Sequence, residues 1–240
     1  MKISKFDFQP GERLAGRYKI IRLLGAGWES EVYLVQEIAT GIERTAKFFI
    51  PQRNPRNTVL RHTAKKLHRL RHCSALIQYV TNETIDFADQ KVSLLISEYV
   101  DGDLYTDFIA GQPGKRMGSF ESLHVLYALA CALEPIHSHR EYHGDLHTGN
   151  IIIRRTGLGF EIKLIDIFRQ KQRKSQSIRD DVWDAIRIFY DTLGGSRFYP
   201  RQPPQIKEIC CGLRRSAIGE KFRHAGHLRL FLENLKWDAS

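Results

Sequence analysis

Hydrophobic and polar positions change their period part-way along the chain. From Tyr18 to Leu24 (YKIIRLL) the apolar residues alternate imperfectly, and Glu31 to Gln36 (EVYLVQ) is rich in β-branched and aromatic side chains. Both segments predict strands, joined by the turn-prone Gly25-Ala26-Gly27. Thr40-Gly41 marks a further turn, and Arg44 to Ile50 predicts a third strand. Leu60, Ala64, Leu67 and Leu70 then fall at helical spacing, so Thr58 to Arg71 predicts an amphipathic helix. Ile77 to Thr84 and Lys91 to Tyr99 return to the strand pattern. Past Asp103 the helical period dominates. Ser122 to Ser138 carries Leu123, Leu126, Leu129, Ala130, Leu133 and Ile136, a largely apolar helix that should be buried. Ile151 to Ile153 and Ile162 to Ile165 predict two short strands around a glycine-containing hairpin. Asp180 to Leu193, Ile206 to Leu213 and Ala225 to Leu235 predict helices. A β-rich N-terminal part therefore meets a helix-rich C-terminal part near Glu98 to Gly102, without a low-complexity linker or an internal repeat. Two lobes of an α+β protein are the expected architecture.

Composition narrows the class. The 240 residues are 42% hydrophobic and 27% charged, as in an ordinary soluble globular protein. No apolar run approaches the ~18–20 residues a membrane span needs, and the N-terminus has no apolar signal-peptide core. The scattered Cys73, Cys131, Cys210 and Cys211 match no zinc or disulfide pattern, which implies free thiols in a reducing cytoplasm. Charge is the unusual number: 37 Lys and Arg against 27 Asp and Glu gives +10. The excess is local. Pro51 to Asn82 contains no acid but holds Arg53, Arg56, Arg61, Lys65, Lys66, Arg69 and Arg71. Arg169 to Arg179 carries five more cations and no acid. Neither block interleaves its cations with exposed aromatics or forms a reading helix, so composition argues against nucleic acid as the main ligand.

Four motifs carry chemistry. Gly25-Ala26-Gly27-Trp28-Glu29-Ser30 sits between two strands, where glycines let backbone N–H groups approach phosphate oxygens. A plain hairpin reads the same way. Lys47 lies within the third strand, where it either snorkels to solvent or meets a phosphate. His143-Gly144-Asp145-Leu146-His147-Thr148-Gly149-Asn150 is the specific one: an Asp and an Asn five residues apart on a loop, after a buried helix and before a short strand. Asp166 ends the next short strand. Mg²⁺ takes oxygen ligands, typically one or two carboxylates plus substrate phosphates, which Asn150 and Asp166 would supply. Asp145 would then accept a proton from an attacking hydroxyl.

In this order and spacing the chain resembles the protein-kinase-like superfamily, from about Leu14 to Leu235. The resemblance implies a single kinase-like domain over 1–240, with an N-lobe at 1–98, a hinge at 99–102 and a C-lobe at 103–240. It implies ATP and Mg²⁺ as cofactors. Gly25, Ala26, Gly27, Ser30, Val32 and Ala46 would line the nucleotide, and Lys47 would hold its phosphates. Glu98, Tyr99 and Val100 would be the adenine-binding hinge behind a Ser97 gatekeeper, with Asp103 beyond it. Asp145 would be the catalytic aspartate, Asn150 and Asp166 the metal ligands, and Asp181 the brace of the catalytic loop.

The departures are informative. The family's αC helix offers the lysine a glutamate, and Thr63 stands there, leaving Glu29 or Glu31 as substitutes. Gly144 replaces the arginine that usually precedes the catalytic aspartate. His147 replaces a lysine, so HGDLHTGN is closer to aminoglycoside and choline phosphotransferases than to typical protein kinases. Asp166 to Asp181 spans 15 positions, roughly half the usual activation segment, and no Ala-Pro-Glu follows. The expected activity is ATP/Mg²⁺-dependent phosphoryl transfer to a hydroxyl, of protein Ser/Thr or of a small molecule that the basic loop would let be anionic. A pseudokinase, binding nucleotide or partners without turnover, is the competing expectation.

Overall fold

The computed structural model describes residues 2–168 and 172–236, and its contacts divide the chain into two compact units. The first comprises Met1–His72 with Ile77–Val100; the second comprises Cys73–Leu76 with Asp101–Ser240.

The first unit is a six-stranded antiparallel sheet. Strands β1 (Arg13–Leu14), β2 (Tyr18–Ala26), β3 (Ser30–Glu37), β4 (Glu43–Phe49), β5 (Tyr79–Phe87) and β6 (Gln90–Glu98) lie in the order β1-β2-β3-β4-β6-β5. Helix α1 (Thr58–Arg69) packs on β5 and β6. One sheet face buries Tyr18, Ile20, Tyr33, Val35, Ala46, Phe48, Val92, Leu94 and Ile96 in a continuous apolar cluster. An N-terminal arm covers it: Phe6 and Phe8 stack on each other and both contact Phe48 and Phe87. Glu31 fastens the arm: its Oε1 accepts from the Phe6 N–H, and its Oε2 accepts from both the Asp7 N–H and the Tyr33 hydroxyl. That bond and burial push the Tyr33 phenol up. The arm and β1 gave no periodic signal, because an irregular aromatic segment is recruited by the sheet it covers rather than by its own pattern.

In the second unit β7 (Asp103–Leu104), β8 (Ile151–Thr156) and β9 (Gly159–Leu164) form a small sheet. The helices are α2 (Tyr105–Ala110), α3 (Ser119–Ser138), α4 (Lys174–Thr192), α5 (Pro204–Cys210), α6 (Arg215–Lys221) and α7 (Ala225–Glu233). Helix α3 is apolar on most of its circumference because α4, α7 and β9 all pack against it. It runs through Pro135, whose ring φ suits a helix although it gives up one ladder bond. The short segment Cys73–Leu76 joins this unit through a bond from Leu164 N–H to the Ala75 carbonyl at 2.7 Å. Helix α4 starts at Lys174, six residues before the helix expected from Asp180, so Lys174 and Arg179 of the second basic block are helical. Arg169 and Lys171 of that block lie outside the described residues. No helix among those described is long and apolar enough to cross a membrane.

Candidate active site

In the first unit the ladder register aligns four residues across the sheet. Gly25 pairs with Val32, Val32 with Lys47, and Lys47 with Leu95. Thr45, two residues before Lys47 and on the same face, pairs with the buried Ser97. Successive side chains alternate faces, so Ala46 points the other way. It lies in the apolar cluster opposite Tyr33 and Ile96, and the expectation that it lines the nucleotide is corrected: Thr45 shares the lysine's face. Glu31 is likewise on the Tyr33 face and spent on the N-terminal arm, so it is not the substitute acid for Lys47. Between β2 and β3 the chain turns tightly, with Gly27 N–H bonding the Ser30 carbonyl at 2.9 Å. Gly25, Ala26 and Gly27 are all exposed, and a Cβ at Gly25 would meet nothing within 4 Å. Trp28, at the tip, is 66% exposed and carries the Arg53 guanidinium 3.4 Å above its ring. Glu98 ties the end of β6 to Gln78 by two bonds of 3.0 Å, one through its backbone N–H and one through its carboxylate. Val100 closes this unit, whereas Asp103 opens β7 in the second, opposite Ile153.

In the second unit the loop between α3 and β8 is held from three sides. The Asp181 carboxylate, fully buried on α4, accepts from the His143 N–H at 2.6 Å and the Gly144 N–H at 2.9 Å. It also meets His137 Nε2 at 3.1 Å. His137 Nδ1 accepts from the Ala225 N–H, so Nε2 carries the proton that faces Asp181. His143 Nδ1 lies 3.4 Å from the Asp145 N–H, and its Nε2 donates to the Ile165 carbonyl at 2.8 Å. Phe168 N–H returns a bond to the His143 carbonyl. A buried carboxylate with charge-assisted bonds to two backbone amides fixes a loop far more firmly than loop sequence alone.

Asp145 and Asn150 are brought together. Asn150 Nδ2 donates to the Asp145 carbonyl at 2.8 Å and to its carboxylate at 3.3 Å. The amide's donors are thereby used, and its Oδ1 makes no hydrogen bond among the described residues. Ile165 N–H bonds the Asn150 carbonyl, and Ile151 pairs with Leu164, so Asp166 follows the same end of the β8–β9 hairpin. Asp166 is left-handed at φ 58, a conformation costing a non-glycine residue about 1 kcal/mol or more and held here by its laced neighbours. His147 Nδ1 accepts from the Gly149 N–H at 3.1 Å, and its Nε2 faces the Asp145 carboxylate at 3.8 Å. Both side chains are exposed.

Gly144 explains the missing arginine. Its φ is +90, and a Cβ there would come within 2.9 Å of the Phe168 carbonyl oxygen and of the Tyr142 ring. Sequence reasoning passed over His137, a histidine inside an apolar helix, and Asp184. Burial and the neighbouring carboxylates Asp181, Asp180 and Asp145 push the Asp184 carboxyl up to about 7, against a lowering from Arg215.

A bilobal sequence pattern, a glycine hairpin before a strand lysine, and a braced loop presenting Asp and Asn ahead of a second Asp together define the protein kinase class. The chain belongs to the protein kinase domain family, whose pattern it matches over residues 18–201. It is 26% identical over 159 residues to the serine/threonine-protein kinase PrkC of Bacillus subtilis, covering 65% of this chain and 23% of that protein. It is 30% identical over 161 residues to the DNA damage-responsive serine/threonine-protein kinase RqkA of Deinococcus radiodurans, covering 62% of this chain and 22% of that protein. The chain thus matches less than a quarter of the length of these relatives. Its fold is similar to the PknI kinase domain of Mycobacterium tuberculosis, with a TM-score of 0.66, 19% identity, and coverage of 96% of this chain and 98% of that one.

Proposed function

We propose that the chain is an ATP- and Mg²⁺-dependent kinase that transfers the γ-phosphoryl group to a hydroxyl, with serine or threonine of a protein as the first acceptor to test. The observation that carries this reading is the Asp145–Asn150 pair: one carboxylate exposed, one amide oxygen uncommitted, on a loop held by the buried Asp181. The donor set fits a hard cation. Asn150 and Asp166 offer oxygen atoms only, and Mg²⁺ is commonly held by one or two such groups plus substrate phosphates. When bound, the ion neutralises charge on the transferring phosphates.

The roles follow from the groups. Asp145 orients the acceptor hydroxyl and takes its proton. Lys47 and the N–H groups of the 25–30 hairpin hold nucleotide phosphates, and the backbone from Glu98 to Val100 receives adenine beside the small Ser97. His147, with Nδ1 held by Gly149, presents Nε2–H beside Asp145, a neutral-capable donor where the family places lysine. A cytoplasmic setting suits the four cysteines, none of which is joined in a disulfide.

Incubation with γ-labelled ATP, alone and with lysate protein, tests the reading. Label should pass to protein, and Asp166→Ala should abolish it. Undiminished turnover in that variant refutes the assignment. One observation favours a second reading, a nucleotide-binding module without turnover: α1 contributes no carboxylate, since residues 51–82 contain neither Asp nor Glu. Nucleotide-induced thermal stabilisation with no labelled product would establish that alternative.

A further inference from the structure

The solvent face of α1 is chemically uniform. At 100° per residue Arg61, Lys65 and Arg69 share an arc of about 80°, rising ~12 Å along the helix, and all three are exposed. The other exposed positions of the helix are Thr58 and His68, and Arg71 and His72 continue the surface past its end. Arg53 and Arg56 extend it before the start.

Neither Arg61 nor Lys65 meets a carboxylate among the described residues. Arg61 Nη2 donates instead to the Arg56 carbonyl at 2.7 Å, and Arg71 Nη1 to the His68 carbonyl at 3.0 Å. Carbonyl acceptors fix the guanidinium groups while leaving their charge intact. The turn that offers the Arg56 carbonyl is built from two consecutive left-handed residues, Arg56 at φ 52 and Asn57 at φ 57. It is held by Asn54, whose buried side-chain oxygen accepts from the Val59 and Leu60 N–H groups and caps the helix.

Helix electrostatics account for only part of the charge. Lys66, His68 and Arg69 in the last turn complement the negative helix end. Arg53, Arg56 and Arg61 cluster at the positive end, where no acid occupies the first turn and where cations are disfavoured. A strained, capped turn that gathers cations where the helix disfavours them points to something outside the helix that rewards them.

We propose that this face docks an acidic protein segment. Alternate residues of an extended chain are ~6.7 Å apart, and successive turns of the cationic row are ~6 Å apart, so carboxylates at every second position match one row. A single narrow row suits one linear anion rather than the two phosphate strands of a duplex. The aromatic platforms that hold single strands are lacking too, since Trp28, the exposed aromatic beside Arg53, already stacks on that guanidinium.

The test is titration of the full chain with a fluorescent 12-residue peptide of alternating glutamates, and with an oligo-dT of equal charge, at low and at near-physiological salt. The variant Arg61→Glu/Lys65→Glu should weaken peptide binding by about tenfold or more at low salt. Arg61→Gln/Lys65→Gln should weaken it less but measurably, and guards against misfolding of the reversed variant. Lys19→Glu/Arg22→Glu, with the same net-charge change on the exposed side of β2, should leave it within about twofold. Equal losses in both reversed variants, or no peptide binding by the wild type, would overturn the proposal. Tighter binding of oligo-dT than of the peptide would overturn it in favour of a nucleic-acid surface.

Discussion

Two glycine-bearing loops carry the chemistry proposed for this chain, and they are built on opposite principles. The 25–30 hairpin is exposed from Gly25 to Trp28, turns on one backbone bond and has empty space where Gly25 would bear a side chain. The 143–150 loop is exposed only at Asp145 and His147, is gripped by Asp181 and leaves Gly144 no room for a methyl group. A loop that must close over a mobile phosphate chain profits from freedom. A loop that must aim one carboxylate profits from rigidity. The glycines in the first leave open space and backbone access; the glycine in the second supplies a conformation.

Substitutions can break this contrast, and the largest effect is expected at the clamp. Asp181→Ala strips the acceptor from two buried N–H groups and from His137, and should cost about 3–5 kcal/mol, read as a lost or strongly lowered urea midpoint. Gly144→Ala forces a left-handed alanine into the Phe168 carbonyl and should cost about 2–3 kcal/mol with loss of turnover. An unchanged Tm in that variant would show that the loop is softer than described.

The next effect has a pH signature. Asp184 holds a raised carboxyl at about 7, so folding takes up a proton there. Its contribution is fully present below the unfolded value near 4 and is lost as pH rises through about 7. Asp184→Asn should therefore stabilise the protein by about 1–2 kcal/mol at pH 8 and little at pH 4. Retained solvent contact keeps the gain below the full linkage value. Thermal melts across that range check the sign. The smallest effect belongs to the open hairpin. Gly25→Ala should change stability by less than about 0.5 kcal/mol while weakening nucleotide affinity, a split that calorimetry with and without nucleotide resolves.

The contrast also marks what the sequence could disclose. Strands β2, β3, β4 and β6, helix α3 and the HGDLHTGN loop were legible because their signals are local: period two, an apolar helix, residues of one type at fixed spacing. The face of Ala46 was misjudged although strand period alone separates it from Lys47, since adjacency in sequence was taken for adjacency in space. Glu31 was offered to Lys47 because nothing in the sequence shows an N-terminal arm competing for it. His137 and Asp181 are 44 residues apart, and their bond depends on how α3 and α4 pack, which no short-range pattern encodes. Helices α2 and α6, at 6 and 7 residues, are too short for a periodic signal.

The indole at the tip of the first hairpin has a practical consequence. Trp28 is solvent-facing and lies under a guanidinium, whereas Trp183 is partly buried beneath Arg215. With Trp183 and Trp237 replaced by phenylalanine, emission from Trp28 alone becomes an optical gauge of the hairpin, shifting blue as nucleotide displaces water from the loop. The chain thus carries its own dye at the proposed nucleotide loop, and stopped-flow mixing can time nucleotide arrival there without a label.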